Sequence, residues 1–291
     1  MMIEAVQKKL RAIEADDRIN TLQSALRALR ELGIDDFGYV LMSMPNPQLP
    51  RLSRLLPRMA SDEVQRNWTG NCGEALLRQT CAFVRSVAYN FSRLAGRTLE
   101  GASILDYGCG YGRIARLMYY FSDPSNVVGL DPWDRSISIC REDGLGTNFL
   151  QSSYLPTSLP VGNVRFDLIY AFSVFTHLSE RATRLSLSVL AKYLKPHGLL
   201  VITIRPVEYW RHDVSAKKAG VVDRQIALHA ESGFSFLPHE RPAVDGDITY
   251  GDTSFTTEWL EANFPEFALK GVDRSLEDPF QYYLFLRHAG I

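Results

Sequence analysis

The run ILDYGCGYGR at residues 104–113, in which an apolar stretch carries an acid and then three alternating glycines, constrains this chain more than any other segment. Apolar residues of that kind form a buried strand, and glycines at 108, 110 and 112 allow a tight turn before a helix begins. Main chain without side chains at a helix start lets a ligand lie against it. A second apolar run, residues 127–130, ends in Asp131 about twenty residues further on, where a carboxylate can accept the hydroxyl hydrogens of a ribose. Strand, turn and acid together imply an adenosine-containing ligand.

Two features choose among such ligands. A dinucleotide fingerprint places its third glycine at position 113, whereas Arg113 stands there. A carboxylate at the strand tip, Asp106, repels a diphosphate and suits an ammonium. An amino-acid nucleoside satisfies both observations. A nicotinamide-dependent oxidoreductase on a Rossmann fold is the alternative, since Gly108, Gly110 and Asp131 are common to both.

Around this loop the sequence alternates strand-like and helical patterns: strands at 103–107, 127–131, 148–151, 166–172 and 199–204, helices at 113–121, 134–141 and 180–194, with Ser179 as an N-cap. Such alternation predicts an α/β fold with a parallel sheet. Thr256 caps a short predicted helix to 264, and two strand-like runs, 267–272 and 281–286, suggest an antiparallel hairpin at one edge. Upstream, residues 3–32 predict one or two amphipathic helices and residues 73–94 another. Prolines 45, 47, 50 and 57 mark a linker or lid. We therefore expect a helical N-terminal extension over 1–70 and a main domain over 71–291, with a polar, irregular insertion at about 206–252.

The chain resembles the class I S-adenosylmethionine (SAM)-dependent methyltransferases over residues 103–287. Residues 106–112 (DYGCGYG) match that family's first motif, and Asp131 stands where its ribose-binding acid belongs. Residues 166–178 (FDLIYAFSVFTHL) resemble its fourth-strand segment, and residues 194–204 (LKPHGLLVITI) its turn into strand five. The resemblance implies a Rossmann-like, seven-stranded, mostly parallel sheet with an antiparallel last strand. It implies SAM as cofactor and S-adenosylhomocysteine as product. Asp106, Tyr107, Gly108, Cys109, Gly110, Tyr111 and Gly112 would hold the methionine part and Asp131 the ribose. Pro132 and Trp133 would flank the adenine, Ser152 and Ser153 would sit near its amino edge, and Phe172 and Ser173 would border the sulfonium. At the end of strand three the family commonly carries an acid, and Gln151, Ser152 and Ser153 stand there instead.

An oxygen acceptor needs a base, and His177 and His212 are the candidates. Tyr209, Trp210 and Asp213 could line the acceptor pocket or fold the insertion down. Arg78 could pair with a carboxylate, but on an amphipathic helix it reads as a surface-paired group. The expected acceptor is a small molecule or a carbohydrate. A net charge of -1 gives no basic field for nucleic acid. Four cysteines without CxxC spacing suggest neither a metal site nor disulfides, and with no apolar run long enough to span a membrane the expected location is cytoplasmic. The first helices could alternatively pair two copies, and a catalytically silent SAM-binding interaction module is a further reading.

Overall fold

A computed structural model describes residues 4–290. The chain opens with α1 (Glu4–Ala15), α2 (Leu22–Leu29), α3 (Ile34–Met42), α4 (Leu52–Leu55), α5 (Asp62–Thr69) and the long α6 (Gly73–Ala95). The expected start of the first helix at residue 3 lies outside the described residues. Then come β1 (Ile104–Tyr107), α7 (Arg113–Met118), β2 (Val127–Asp131), α8 (Asp134–Glu142), β3 (Phe149–Gln151), β4 (Phe166–Ala171), α9 (Glu180–Tyr193) and β5 (Leu194–Ile204). Beyond them lie α10 (Val214–Ala219), α11 (Val222–Ser232), β6 (Phe234–Pro238), β7 (Gly251–Phe255), α12 (Thr257–Asn263), β8 (Phe267–Ser275) and β9 (Asp278–His288).

Seven strands form one sheet in the order β3-β2-β1-β4-β5-β9-β8. The first five run parallel, and β9 is inserted antiparallel between β5 and β8. A dinucleotide-binding sheet continues as 3-2-1-4-5-6, so the inserted antiparallel strand favours the methyltransferase arrangement over the oxidoreductase one. Ser179 and Thr256 cap α9 and α12 as expected, accepting from the backbone amides of Ala182 and Trp259.

Side chains alternate between two cores, as strand geometry requires. Ile104, Leu168, Tyr170, Val201 and Phe285 pack on one face, with α6, α7 and the N-terminal helices. Leu105, Ile169, Leu200, Ile202 and Leu284 pack on the other, with α9 and α12.

Two expectations are corrected here. The proline-bearing stretch is no free linker, because Met44, Leu49, Leu52 and Leu56 are buried in the same core as the sheet. The apolar face of α2 (Ala25, Leu26, Leu29) is likewise wholly buried within the chain. The insertion is ordered rather than irregular: α10 and α11 pack beside a two-stranded sheet of β6 and β7. Its polar residues misled the reading because they are interior hydrogen-bond partners. Trp210 Nε1 donates to Ser254 Oγ at 2.7 Å, His229 Nδ1 lies 2.8 Å from the same oxygen, and Ser235 donates to Gln225 at 2.6 Å.

Candidate active site

A cavity of about 690 Å³ opens at the C-terminal ends of β1, β2 and β4, where ligands bind in open α/β sheets. Its wall includes Asp106, Tyr107, Gly108, Cys109, Gly110, Tyr111, Asp131, Pro132, Trp133, Ser153, Phe172, Ser173 and His177. Gly112, Ser152 and His212 are not in that wall. Gly112 is instead packed beneath the loop, where an added Cβ would lie 2.5 Å from Leu145. His212 is exposed and its ring rests on Phe280 at 4.7 Å. Arg78 pairs with Glu74 and Glu277 on the surface.

The glycine turn works by shape rather than by presenting free amides. Gly108 and Cys109 donate to the Leu130 carbonyl at 2.7 and 2.9 Å, Gly112 donates to Cys109, and Gly110 donates to Asp131 Oδ2 at 2.9 Å. Gly108 has φ of 77°, and a Cβ there would stand 2.3 Å from Val174 Cγ2. We expect Gly108→Ala to destabilise the protein by about 2 kcal/mol; denaturant unfolding checks this, and an unchanged midpoint would contradict it.

Asp131 is gripped from both sides, Oδ2 by Gly110 and Oδ1 by the Trp133 amide at 2.9 Å. Burial raises its carboxyl above the usual range, and these two amides oppose the rise. A carboxylate held so still keeps lone pairs for a ribose.

Asp106 is only 3% exposed, and its Oδ2 has no hydrogen-bond partner among the described residues. Burial pushes its carboxyl up to about 7; the nearby Tyr170 hydroxyl and Arg113 oppose the rise, and Asp131 adds to it. A buried, unpartnered carboxylate oxygen is costly, and a cationic ligand relieves that cost.

Arg113 is itself buried, 7% exposed, and its Nη1 donates to Thr80 at 2.6 Å and Gln79 at 3.0 Å. Its guanidinium lies over the Phe172 ring at 5.3 Å. Burial lowers its proton affinity, and the carboxylates of Asp106 and Asp278 counter that.

The far end of the cavity is a polar cluster that sequence reading reached through His177 and Tyr209, whose hydroxyl donates to Asp252 at 3.1 Å. Arg205 Nη1 bonds Asp252 at 2.5 Å, and His239 Nε2 reaches the other Asp252 oxygen at 2.7 Å. Burial alone would raise the Asp252 carboxyl, but Arg205 and His239 hold it below the usual range. His177 Nδ1 stands 2.8 Å from the Gly251 carbonyl and so donates to it. Its Nε2 then accepts from Arg205 Nη2 at 3.2 Å. Burial, then the charge of Arg205, push the imidazole down to about 3. Both His177 nitrogens are thus engaged, and its ring is stacked on Tyr250 at 4.9 Å.

Three residues of the wall come from a helix that the sequence offered no reason to include. Asn67, Trp68 and Thr69 form the end of α5 and face the glycine turn. Arg205 and Asp278 were also missed; Asp278 accepts from Gln79 at 2.8 Å, and burial raises its carboxyl.

Sequence and structure comparisons agree with this geometry. A family model described as a methyltransferase domain matches residues 104–198. A ubiquinone biosynthesis O-methyltransferase from Agrobacterium fabrum is 31% identical over 120 residues, which are 39% of this chain and 46% of that protein. The chain thus spans about half the length of that relative. A fatty-acid O-methyltransferase from Mycolicibacterium smegmatis is 23% identical over 214 residues, covering 70% of this chain and 74% of that one. Among solved structures, magnesium protoporphyrin IX methyltransferase from Synechocystis superposes with a TM-score of 0.50 at 15% identity, covering 77% of this chain and 97% of that one. Fold and matched segment together define a Rossmann-like methyltransferase domain. Over that segment the chain is similar to SAM-dependent methyltransferases of the class I type.

Proposed function

We propose that this protein transfers a methyl group from SAM to a hydroxyl oxygen of a small-molecule or glycan acceptor. The observation that carries the reading is the unpartnered Asp106 Oδ2 in the same cavity as Asp131. One anion suits an ammonium and the other a ribose, which are two parts of a methionyl nucleoside. Arg113, a buried cation in the wall between Gln79 and Phe172, suits the methionine carboxylate. Tyr107, Gly108, Cys109, Gly110 and Tyr111 supply the floor, while Phe172 and Ser173 border the reacting centre. Ser153 in the wall, and Ser152 beside it, are the candidates for the adenine edge. When bound, SAM supplies a methyl group already attached to a good leaving group.

The chain's own residues then have to orient the acceptor, exclude water and remove a proton. His177 is occupied and His212 lies outside the wall, so we assign proton removal to Asp278, a half-buried carboxylate in the cavity. Oxygen as the methylated atom is supported by the two relatives, both named as O-methyltransferases. Among the described residues no helix is long and apolar enough to cross a membrane. The free thiols of Cys72, Cys81, Cys109 and Cys140 support a reducing compartment such as the cytoplasm.

Isotopically methyl-labelled SAM, incubated with the protein and fractionated cell extract, tests the acceptor class. Label is expected as an O-methyl group in the small-molecule or carbohydrate fraction. Label only in protein or nucleic acid would overturn the acceptor assignment, and no label from protein that binds SAM would support the silent module.

A further inference from the structure

The helix α5 ends over the glycine turn, and its last turn carries Trp68. The Trp68 ring lies stacked on Trp133, centroids 4.5 Å apart with 29° between the planes, and tilted against Tyr111 at 5.8 Å. Its Cε3 stands 4.0 Å from where a side chain on Gly110 would begin. Trp68 therefore roofs the segment whose Gly110 amide holds Asp131, and it does so from outside the segment that the family model matches.

The two indoles differ in how they are held. Trp68 packs against a small core of Met59, Leu76, Tyr111 and Ile139. The backbone behind it is pinned: Gln65 is buried, its side chain bonding Ala60 and Gly73, and Thr69 donates to the Gln65 carbonyl at 2.6 Å. Trp133, at the start of α8, is 44% exposed. Trp133 is thus open to solvent and stands outside the small core that packs behind Trp68.

We propose that Trp68 is a cofactor-binding residue, a fixed aromatic wall on which the adenine of SAM stacks after Trp133 turns aside. Trp133 covers the apolar face of Trp68 that the purine takes over. An adenine joined by its glycosidic bond to a ribose held at Asp131 reaches this pair, because Trp133 directly follows Asp131 and Pro132. Stacking of a base on an aromatic ring contributes enough that its loss is felt as roughly tenfold or more in affinity. The inference rests on the reading of the cavity as a SAM site.

Calorimetry and tryptophan emission with S-adenosylhomocysteine test it together. Trp210 and Trp259 are buried in the interior, so a change of emission on binding reports Trp68 and Trp133. We expect W68A to bind at least tenfold more weakly than wild type, W68F to recover most of the affinity, and both to melt as cooperatively as wild type. The nucleoside should quench emission in wild type and in W133F, and the quench should be largely gone in W68F. Wild-type affinity in W68A, or an undiminished quench in W68F, would overturn the role of Trp68 while leaving the SAM site intact. Failure of wild-type protein to bind the nucleoside would overturn the underlying reading as well.

Discussion

Asp106→Asn is expected to weaken S-adenosylhomocysteine binding by roughly a hundredfold or more while making the ligand-free protein more stable at pH 8. Both effects come from one oxygen. Asp106 Oδ2 is buried and has no hydrogen-bond partner among the described residues, so the ionised side chain is unfavourable until a cation arrives. Burial lifts the carboxyl from 3.8 to about 7. The folded state therefore holds this proton more tightly than the unfolded state does. The stability gained from the neutral form is fully present below pH 4 and is lost as pH rises through about 7. An asparagine escapes that loss and also turns an amide toward the ammonium it should attract. Wild-type affinity should climb as pH rises from 6 to 8 and then level off, because only the ionised carboxylate pairs with the ligand. The variant's affinity should be nearly flat over that range. Calorimetric titrations at pH 6, 7 and 8, with melting curves alongside, read all of this. A variant that binds like wild type would remove Asp106 from the site.

Arg116→Ala is expected to cost about 3 kcal/mol or more of stability, on the order of 10 °C in melting temperature. This side chain on α7 is 0% exposed. Its Nη1 donates to the Tyr111 carbonyl at 2.5 Å, its Nη2 donates to the Arg58 carbonyl, and Asp143 lies 3.7 Å away. One guanidinium thus ties the glycine turn to the segment that leads into α5 and to the turn after α8. Truncation leaves the two carbonyls without their donor and Asp143 with only Arg58 nearby, in a buried setting where unmet polar groups are expensive. Arg116→Lys, with a single ammonium, cannot span both carbonyls and should recover only part of the loss. Because Arg58 leads into the helix bearing Trp68, cofactor affinity should fall as well. A melting temperature within about two degrees of wild type would contradict this account.

The parts legible in the sequence were those where local pattern and burial coincide. The strand ILDY ends in a turn that only glycine-rich sequence can make, and the stretches 168–171 of β4 and 199–202 of β5 are continuous apolar runs because both their faces are covered. Asp131 could be read because it ends a strand at the expected spacing. What stayed hidden depends on contacts between distant segments. Trp68 carries no periodic signal at the end of a short helix, yet it meets Trp133 sixty-five positions on. The insertion looked irregular because Ser235, Gln225, His229 and Ser254 are polar, although they satisfy one another inside. His177 read as a base because nothing local announces that Gly251 and Arg205 occupy its two nitrogens. Nor does the glycine pattern show that four of the turn's amides already have acceptors.

The central claim is that the cavity between Asp106 and Asp131 is shaped and charged for a methionyl nucleoside. Side-by-side calorimetric titration of the purified chain with S-adenosylhomocysteine and with NADH tests it most directly. The account predicts micromolar binding of the first and none of the second. Uptake of the dinucleotide, with no response to the nucleoside even at millimolar concentration, would contradict it.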